Sequence, residues 1–135
     1  MERKRVNFIG GLIFASIFAY SFFKYNSDIK ALKSKMLFSK GIVKKTKIGK
    51  SNYFIIYDFN YLTKSYSEHK SIFGIVSFSD ANKFLVGKSF PLIISEEDPE
   101  NNDLLIFKED FEKYNLVYPD SLKWVCDSLK LKDCN

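Results

Sequence analysis

The chain has 135 residues, enough for one domain with a hydrophobic core after an N-terminal segment, but not for two. Its apolar content of 46% is ordinary for a globular protein and argues against a disordered chain. The net charge of +5 is unevenly spread, since residues 24–90 hold 13 lysines against four acids and residues 91–135 hold five lysines against 11 acids. The uneven charge argues against a nucleic-acid partner. The abundance of lysine, asparagine, isoleucine, phenylalanine and tyrosine argues against it as well, because it indicates a compositional bias rather than a functional basic surface.

The first feature along the chain is an uncharged run of 18 residues, from Val6 to Phe23, after a basic tail at residues 1–5. A helix of this length reaches about 27 Å, close to the thickness of a bilayer core. Two interpretations are open: a retained anchor, or a signal peptide cleaved near Ala19-Tyr20-Ser21. We favour the anchor, because Phe22 and Phe23 continue the apolar run.

The anchor hypothesis predicts a single-pass membrane protein with its domain on the outer side, periplasmic or extracellular. The bilayer is then a partner. Small residues at every fourth position could also let the helix pair with itself or with another membrane protein. The residues that carry this hypothesis are Val6, Gly11, Ala15, Ala19 and Phe23.

The segment after the anchor predicts a helical stalk at 24–39, followed by a β-domain at 40–108. Gly49 to Asn52 form a turn signal between two runs rich in β-branched and aromatic residues, which indicates a hairpin. In the second run, alternate residues from Tyr53 to Tyr61 are expected on one face. Further strands are predicted over 65–76, 90–95 and 104–107, with a short helical turn at 79–87.

The last part, 109–135, predicts an amphipathic helix that starts near Pro119. Leu122, Val125, Cys126 and Leu129 lie at the spacing of one helical face. The predicted fold class is therefore mainly β: an N-terminal transmembrane helix, a small antiparallel barrel or sandwich of about five strands, and a C-terminal helix.

Three stretches carry a family resemblance: GIVKKTK, the tyrosine-rich YFIIYDF, and VGKSFPLIISEEDPENNDLL. Their order resembles that of small bacterial membrane-anchored β-domain proteins of unknown function, over about residues 41–107. The resemblance implies a fold and a membrane location. It implies no catalytic residues.

No motif in the sequence predicts catalysis, a metal site or a cofactor. Gly87-Lys88-Ser89 lacks the earlier glycine of a phosphate-binding loop. The acidic turn of Glu96, Glu97, Asp98, Glu100 and Asp103 lacks the spacing of a calcium loop. His69 is the only histidine. We therefore expect a non-catalytic interaction or accessory module, with a hydrolase built from carboxylates and His69 as the alternative.

Two further patterns leave alternatives open. Cys126 and Cys134 either form a disulfide, if the helix ends near Leu129, or stay reduced. Lysines near the hairpin interleave with Tyr53 and Phe54 as in single-strand nucleic-acid binders, although a basic surface near anionic lipid explains them more simply. These lysines are Lys44, Lys45, Lys47 and Lys50.

Overall fold

The computed structural model describes residues 2–132, with side-chain detail from Ala15 onward. The helices are α1 (Glu2–Ser34), α2 (Phe78–Phe84), α3 (Lys108–Glu112) and α4 (Lys123–Leu129), with a 3₁₀ turn at Asp120–Leu122. The strands are β1 (Met36–Ile48), β2 (Tyr53–Tyr61), β3 (Lys64–Ser71), β4 (Ser89–Ser95) and β5 (Asn102–Leu104).

The five strands form one antiparallel sheet in the order β3-β2-β1-β4-β5. The predicted alternation in β2 is confirmed, because Ile55, Tyr57 and Phe59 are buried while the residues between them are half-buried. The sheet is curved into a half-barrel rather than closed or folded into a sandwich. Its first and last strands in this order, β3 and β5, are therefore the two edges.

The predicted fold class, mainly β, is wrong, because the structure is a mixed α/β domain. The core lies between the concave face of the sheet and the short helices. Leu85 follows α2, Phe107 precedes α3 and Val125 lies in α4, and all three are fully buried. Helices of five to seven residues have too few turns to show a clear periodicity. The sequence pattern therefore underestimated the helical content of the domain.

The predicted membrane span is also wrong. Within residues 2–132, no helix is both long enough and apolar enough to cross a bilayer. The uncharged run has the minimum length for a span, but it includes Asn7, two glycines and two serines. In the structure this run is part of a longer helix that continues through Lys24 and Asp28 to Ser34. A single-pass protein with its domain on the outer side is thus not supported.

Several element boundaries differ from the sequence prediction. The helical stalk at 24–39 is replaced by the end of α1 and the start of β1 at Met36. The third strand ends at Ser71 rather than at residue 76, because Gly74 turns the chain with a φ of 78°. The last strand lies at Asn102–Leu104, earlier than predicted.

A β-bulge interrupts the pairing of β1 with β2. Val43 pairs with Tyr57 and Lys45 pairs with Ile56, so Lys44 is an extra residue without a counterpart on β2. A bulge of this kind changes which side chains of a strand face the core. Val43 is buried, whereas Lys45 and Lys47 are exposed beside outward-facing residues of β2.

Candidate functional site

A cluster of charged side chains links the two edges of the sheet. Lys70 of β3 donates hydrogen bonds to Asp103 of β5, at 2.9 Å, and to Asp110 of α3, at 2.7 Å. Lys113 and the hydroxyl of Tyr114 both donate to the second oxygen of Asp103, at 3.0 and 2.9 Å. We call these five residues the edge cluster.

The second carboxylate of the edge cluster is fixed by backbone groups. Asp110 accepts hydrogen bonds from the amides of Ile106 and Phe107, both at 2.9 Å. These amides precede α3 and would otherwise lack helical partners. Asp110 therefore orders the chain from β5 into α3 while it neutralises Lys70.

The pKa values of the edge cluster favour its charged form. Burial alone would raise the pKa of Asp103, but Lys70 and Lys113 outweigh it and hold this pKa below its usual range. Burial alone would lower the pKa of Lys70, but Asp110 and Asp103 outweigh it and raise this pKa. The pKa of the Tyr114 hydroxyl is raised by burial and by Asp103. The ion pairs therefore persist across the neutral range.

This charge state is poorly suited to general acid–base work. A catalytic carboxyl group should titrate near the working pH, whereas Asp103 is held ionised and its two oxygens accept three hydrogen bonds. Within the part of the chain whose side chains are described, no buried side-chain nitrogen or oxygen lacks a hydrogen-bond partner. The edge cluster is thus a satisfied ionic network.

The last turns of α1 dock beside this cluster. Leu32 is buried, and the side-chain amide of Asn101 donates a hydrogen bond to the backbone oxygen of Asp28 at 3.1 Å. The Lys113 ammonium lies 5.6 Å from the ring centre of Tyr25. A cavity of about 240 Å³ remains between α1 and the start of β5. Residues 28–32 therefore attach the helix to the domain.

The preceding turns of α1 are exposed and strongly apolar. Their side chains are between 56% and 72% exposed, although an isolated domain normally buries residues of this size. These residues, which we call the α1 apolar segment, are Ile17, Phe18, Tyr20, Phe22, Phe23 and Tyr25.

The residues of the predicted anchor are distributed along α1. Ala15, Ala19 and Phe23 are exposed. Val6 and Gly11 lie in α1, but their side chains are outside the described part, so the four-residue stripe cannot be followed through them. Pairing of the helix through this stripe stays a prediction.

His69 and the acidic turn do not form one site. His69 is exposed on β3, where its ring packs edge to face with the ring of Phe54, with the two ring centres 5.4 Å apart. Its neighbour Lys70 faces the opposite side of the strand, toward the edge cluster. The carboxylates of Asp103 and Asp110 therefore lie on the other face from the imidazole.

The predicted acidic turn is divided between different contacts. Glu97 pairs with Lys35 at 2.7 Å, Asp98 accepts from the backbone amide of Glu100, and Asp103 belongs to the edge cluster. Among the described residues, no group of three or more histidine, cysteine, aspartate or glutamate side chains could hold a metal ion.

The predicted basic surface is partly assembled on one face. Lys45 and Lys47 lie opposite Ile56 and Phe54 on β2, while Lys44 occupies the bulge and Lys50 the hairpin turn. Tyr53 is on the other side of the sheet, where its ring contacts Phe73 and Phe78. The lysines are thus accompanied by Phe54, not by Tyr53.

The C-terminal helix buries the predicted stripe. Leu122, Val125, Cys126 and Leu129 are buried, and Lys130 ends the helix in a left-handed conformation. The sulfur of Cys126 is part of a disulfide. Cys134, the predicted partner, lies outside the described residues, so that pairing stays a prediction.

No family model, no curated protein and no solved structure matches this chain. The resemblance to membrane-anchored β-domain proteins therefore stays a prediction.

Proposed function

We propose that the protein is a non-catalytic interaction module, in which the small α/β domain holds α1 as a docking helix for a helical partner protein. The observation that carries this proposal is the α1 apolar segment. Exposed apolar surface of this kind on a soluble domain typically marks a contact with another macromolecule. The docked end at Leu32 fixes the position of the helix on the domain.

The distribution of side chains around α1 indicates how the partner contacts it. At 100° per residue, Phe18, Phe22 and Tyr25 continue the line of Ile29 and Leu32. Tyr20 and Phe23 lie on the opposite side of the helix and are equally exposed. A helix that is apolar all round is normally enclosed. A groove or bundle of partner helices fits this requirement better than one helix or a flat surface.

The charges of α1 favour a partner with acidic flanks. The sequence of α1 contains six basic residues and two acidic residues, and the basic residues stand at both ends of the apolar run. Two copies of α1 would therefore place lysines and arginines together in either orientation, which is unfavourable. A partner with aspartates or glutamates beside its apolar helices would be attracted to both ends.

The alternative, a hydrolase built from carboxylates and His69, has less support. The carboxylates of the edge cluster are occupied by lysines and backbone amides. His69 projects from the other face of β3. Catalysis would need these groups to converge on one substrate. Their positions on opposite faces of the sheet edge do not support that alternative.

Binding of defined helical peptides by the full chain tests this proposal. The probes are a fluorescent leucine–alanine helix with glutamates at both ends and the same helix with lysines there. We expect the glutamate-flanked peptide to bind at least tenfold more tightly, a difference of about 1.4 kcal/mol. Equal binding of the two peptides would contradict the predicted partner chemistry.

Matched variants separate docking on α1 from general hydrophobic adhesion. Phe18→Ser with Phe22→Ser should abolish binding of the glutamate-flanked peptide. Leu62→Ser with Val117→Ser removes two other highly exposed apolar side chains and should leave binding unchanged. Equal losses in both double variants would contradict a specific site on α1.

A further inference from the structure

The face of the sheet that points away from the core carries an unusual combination of lysines and apolar rings. Strand pairing places Ile42 beside Asp58, Lys45 beside Ile56, and Lys47 beside Phe54. On β3, His69 lies beside Ile56. The inward-facing neighbours Val43, Ile55 and Tyr57 are buried, so these residues project outward. We call the outward-facing residues the outer sheet face. Its members are Phe38, Lys40, Ile42, Lys45, Lys47, Phe54, Ile56, Asp58 and His69.

The charge of the outer sheet face is positive. Lys40, Lys45 and Lys47 project from one strand, and Lys44 adds a fourth ammonium group at the bulge. Asp58 is the acidic residue among its members. The four lysines are exposed, and the ion pairs described for residues 2–132 include none of them. Their charges are therefore available to an anionic ligand.

Aromatic side chains lie among these lysines. Phe54 is half-buried and meets His69 edge to face, while Phe38 is 64% exposed at the other end of β1. Ile42 is 44% exposed between them. Exposed rings alternating with cationic side chains are the arrangement on which unpaired bases stack while their phosphates are neutralised.

A trough in the same face supplies hydrogen-bonding groups. Its volume is about 580 Å³, and Lys40 and Lys44 contribute to its wall. Hydroxyl and amide groups make up much of the remaining lining, contributed by Asn60, Ser65, Ser67 and Ser89. Such groups suit the sugars and phosphates of a nucleic-acid backbone.

We propose that the outer sheet face binds single-stranded nucleic acid, as a second site independent of α1. A sulfated polysaccharide or an anionic lipid surface would also be attracted by the lysines. Neither has bases that would stack on the exposed ring of Phe38 and the half-buried ring of Phe54. From sequence, compositional bias and a nearby anionic lipid surface explain these lysines more simply than a nucleic acid does. The strand pairing adds that Lys45, Lys47 and Phe54 share one face of the sheet.

Fluorescence anisotropy of the full chain with labelled oligothymidylate, across a range of salt concentrations, tests the proposal. We expect micromolar binding that weakens as salt rises. Lys45→Gln with Lys47→Gln should weaken binding at least tenfold and reduce the salt slope by about 1.4, because each phosphate contact on a single strand contributes about 0.7. Lys30→Gln with Lys33→Gln removes the same charge from exposed positions on α1 and should change affinity less than twofold.

A stacking variant distinguishes nucleic acid from other anions. Phe38→Ser should weaken oligothymidylate binding about tenfold and leave heparin binding unchanged. Circular dichroism confirms that each variant is folded. The proposal is overturned if oligothymidylate does not bind, if both lysine pairs act alike, if Phe38→Ser has no effect, or if only heparin or phosphatidylserine vesicles bind.

Discussion

Lys70 and Asp103 stand on opposite edge strands of the sheet, yet their side chains form an ion pair of 2.9 Å. In a flat sheet the outer two of five strands would be roughly 19 Å apart. The pair can form only because the sheet is strongly curved. Tyr57 supports the same curvature, since its hydroxyl crosses from β2 to Asn102 of β5 at 2.6 Å. Side chains thus join edges that have no backbone ladder between them.

The first prediction concerns Asp103, the central carboxylate of the edge cluster. Asp103→Asn should lower the free energy of unfolding by about 3 kcal/mol, because it leaves two lysines near one remaining carboxylate in a largely buried site. Urea denaturation measures the change. Glu97→Gln, which breaks the exposed Lys35 pair, is the control and should have little effect. Similar losses of stability in both variants would show that the edge cluster is not a major source of stability.

The second prediction concerns pH. The pKa of Asp103 is lowered from 3.8, so its stabilising contribution is complete above about pH 4 and is lost as the pH falls through the folded-state value. The pKa of Lys70 is raised from 10.5, so its contribution is complete below that pH and is lost as the pH rises further. Thermal unfolding should therefore show an acid limb and an alkaline limb around a flat neutral range.

Asp103→Asn provides the control for the pH profile. The variant lacks the titrating carboxyl group, so the acid limb should become shallower. An acid limb identical to that of the original chain would show that other carboxylates account for it.

The third prediction concerns a close approach between β1 and β5. A Cβ atom on Gly41 would lie 2.6 Å from a methyl carbon of Leu104 and 3.2 Å from the ring of Tyr57. Because Leu104 is fully buried and cannot move freely, Gly41→Ala should destabilise the protein by about 1–3 kcal/mol. Chemical denaturation is the measurement.

A double-mutant cycle tests the cause of that loss. Leu104→Ala removes the clashing methyl group, so adding Gly41→Ala to it should cost at least about 1 kcal/mol less than in the original chain. Additive effects would exclude the clash as the explanation.

The fourth prediction concerns the attachment of α1. Leu32→Ala should destabilise the docked turns by about 2–3 kcal/mol, since it removes a buried side chain between helix and sheet. Hydrogen exchange of amides 28–34 should accelerate. Lys33→Ala, at an exposed neighbouring position, should leave exchange nearly unchanged. If both variants exchange alike, Leu32 does not hold the helix.

Local patterns predicted the strands better than the helices and the site. Alternation identified the buried face of β2, and helical spacing identified the buried stripe that ends at Leu129. The bulge at Lys44 was not predictable, because nothing in the adjacent lysines marks which one lacks a partner. Apolar length alone predicted a membrane span, but it does not separate a span from a helix whose apolar side chains are exposed on a small domain.

The edge cluster was not predictable from sequence either. Lys70 is 33 residues from Asp103 and 40 from Asp110, and the curvature of the whole sheet brings them together. In the sequence, Asp103 is only the last carboxylate of an acidic turn. The one available signal was the position of Asp110 before an apolar residue at a helix start, which is typical of a capping carboxylate.

Site-specific photo-crosslinking in living cells tests the central claim, docking through α1, most directly. A photoreactive amino acid replaces Phe22 in one variant and Leu62 in another, since both positions are exposed but only Phe22 belongs to the α1 apolar segment. Crosslinked peptides are identified by mass spectrometry. We predict that position 22 captures an apolar helix with acidic flanks from one other protein and that position 62 does not. Capture of the same peptides from both positions, or of copies of this chain alone, would contradict the account.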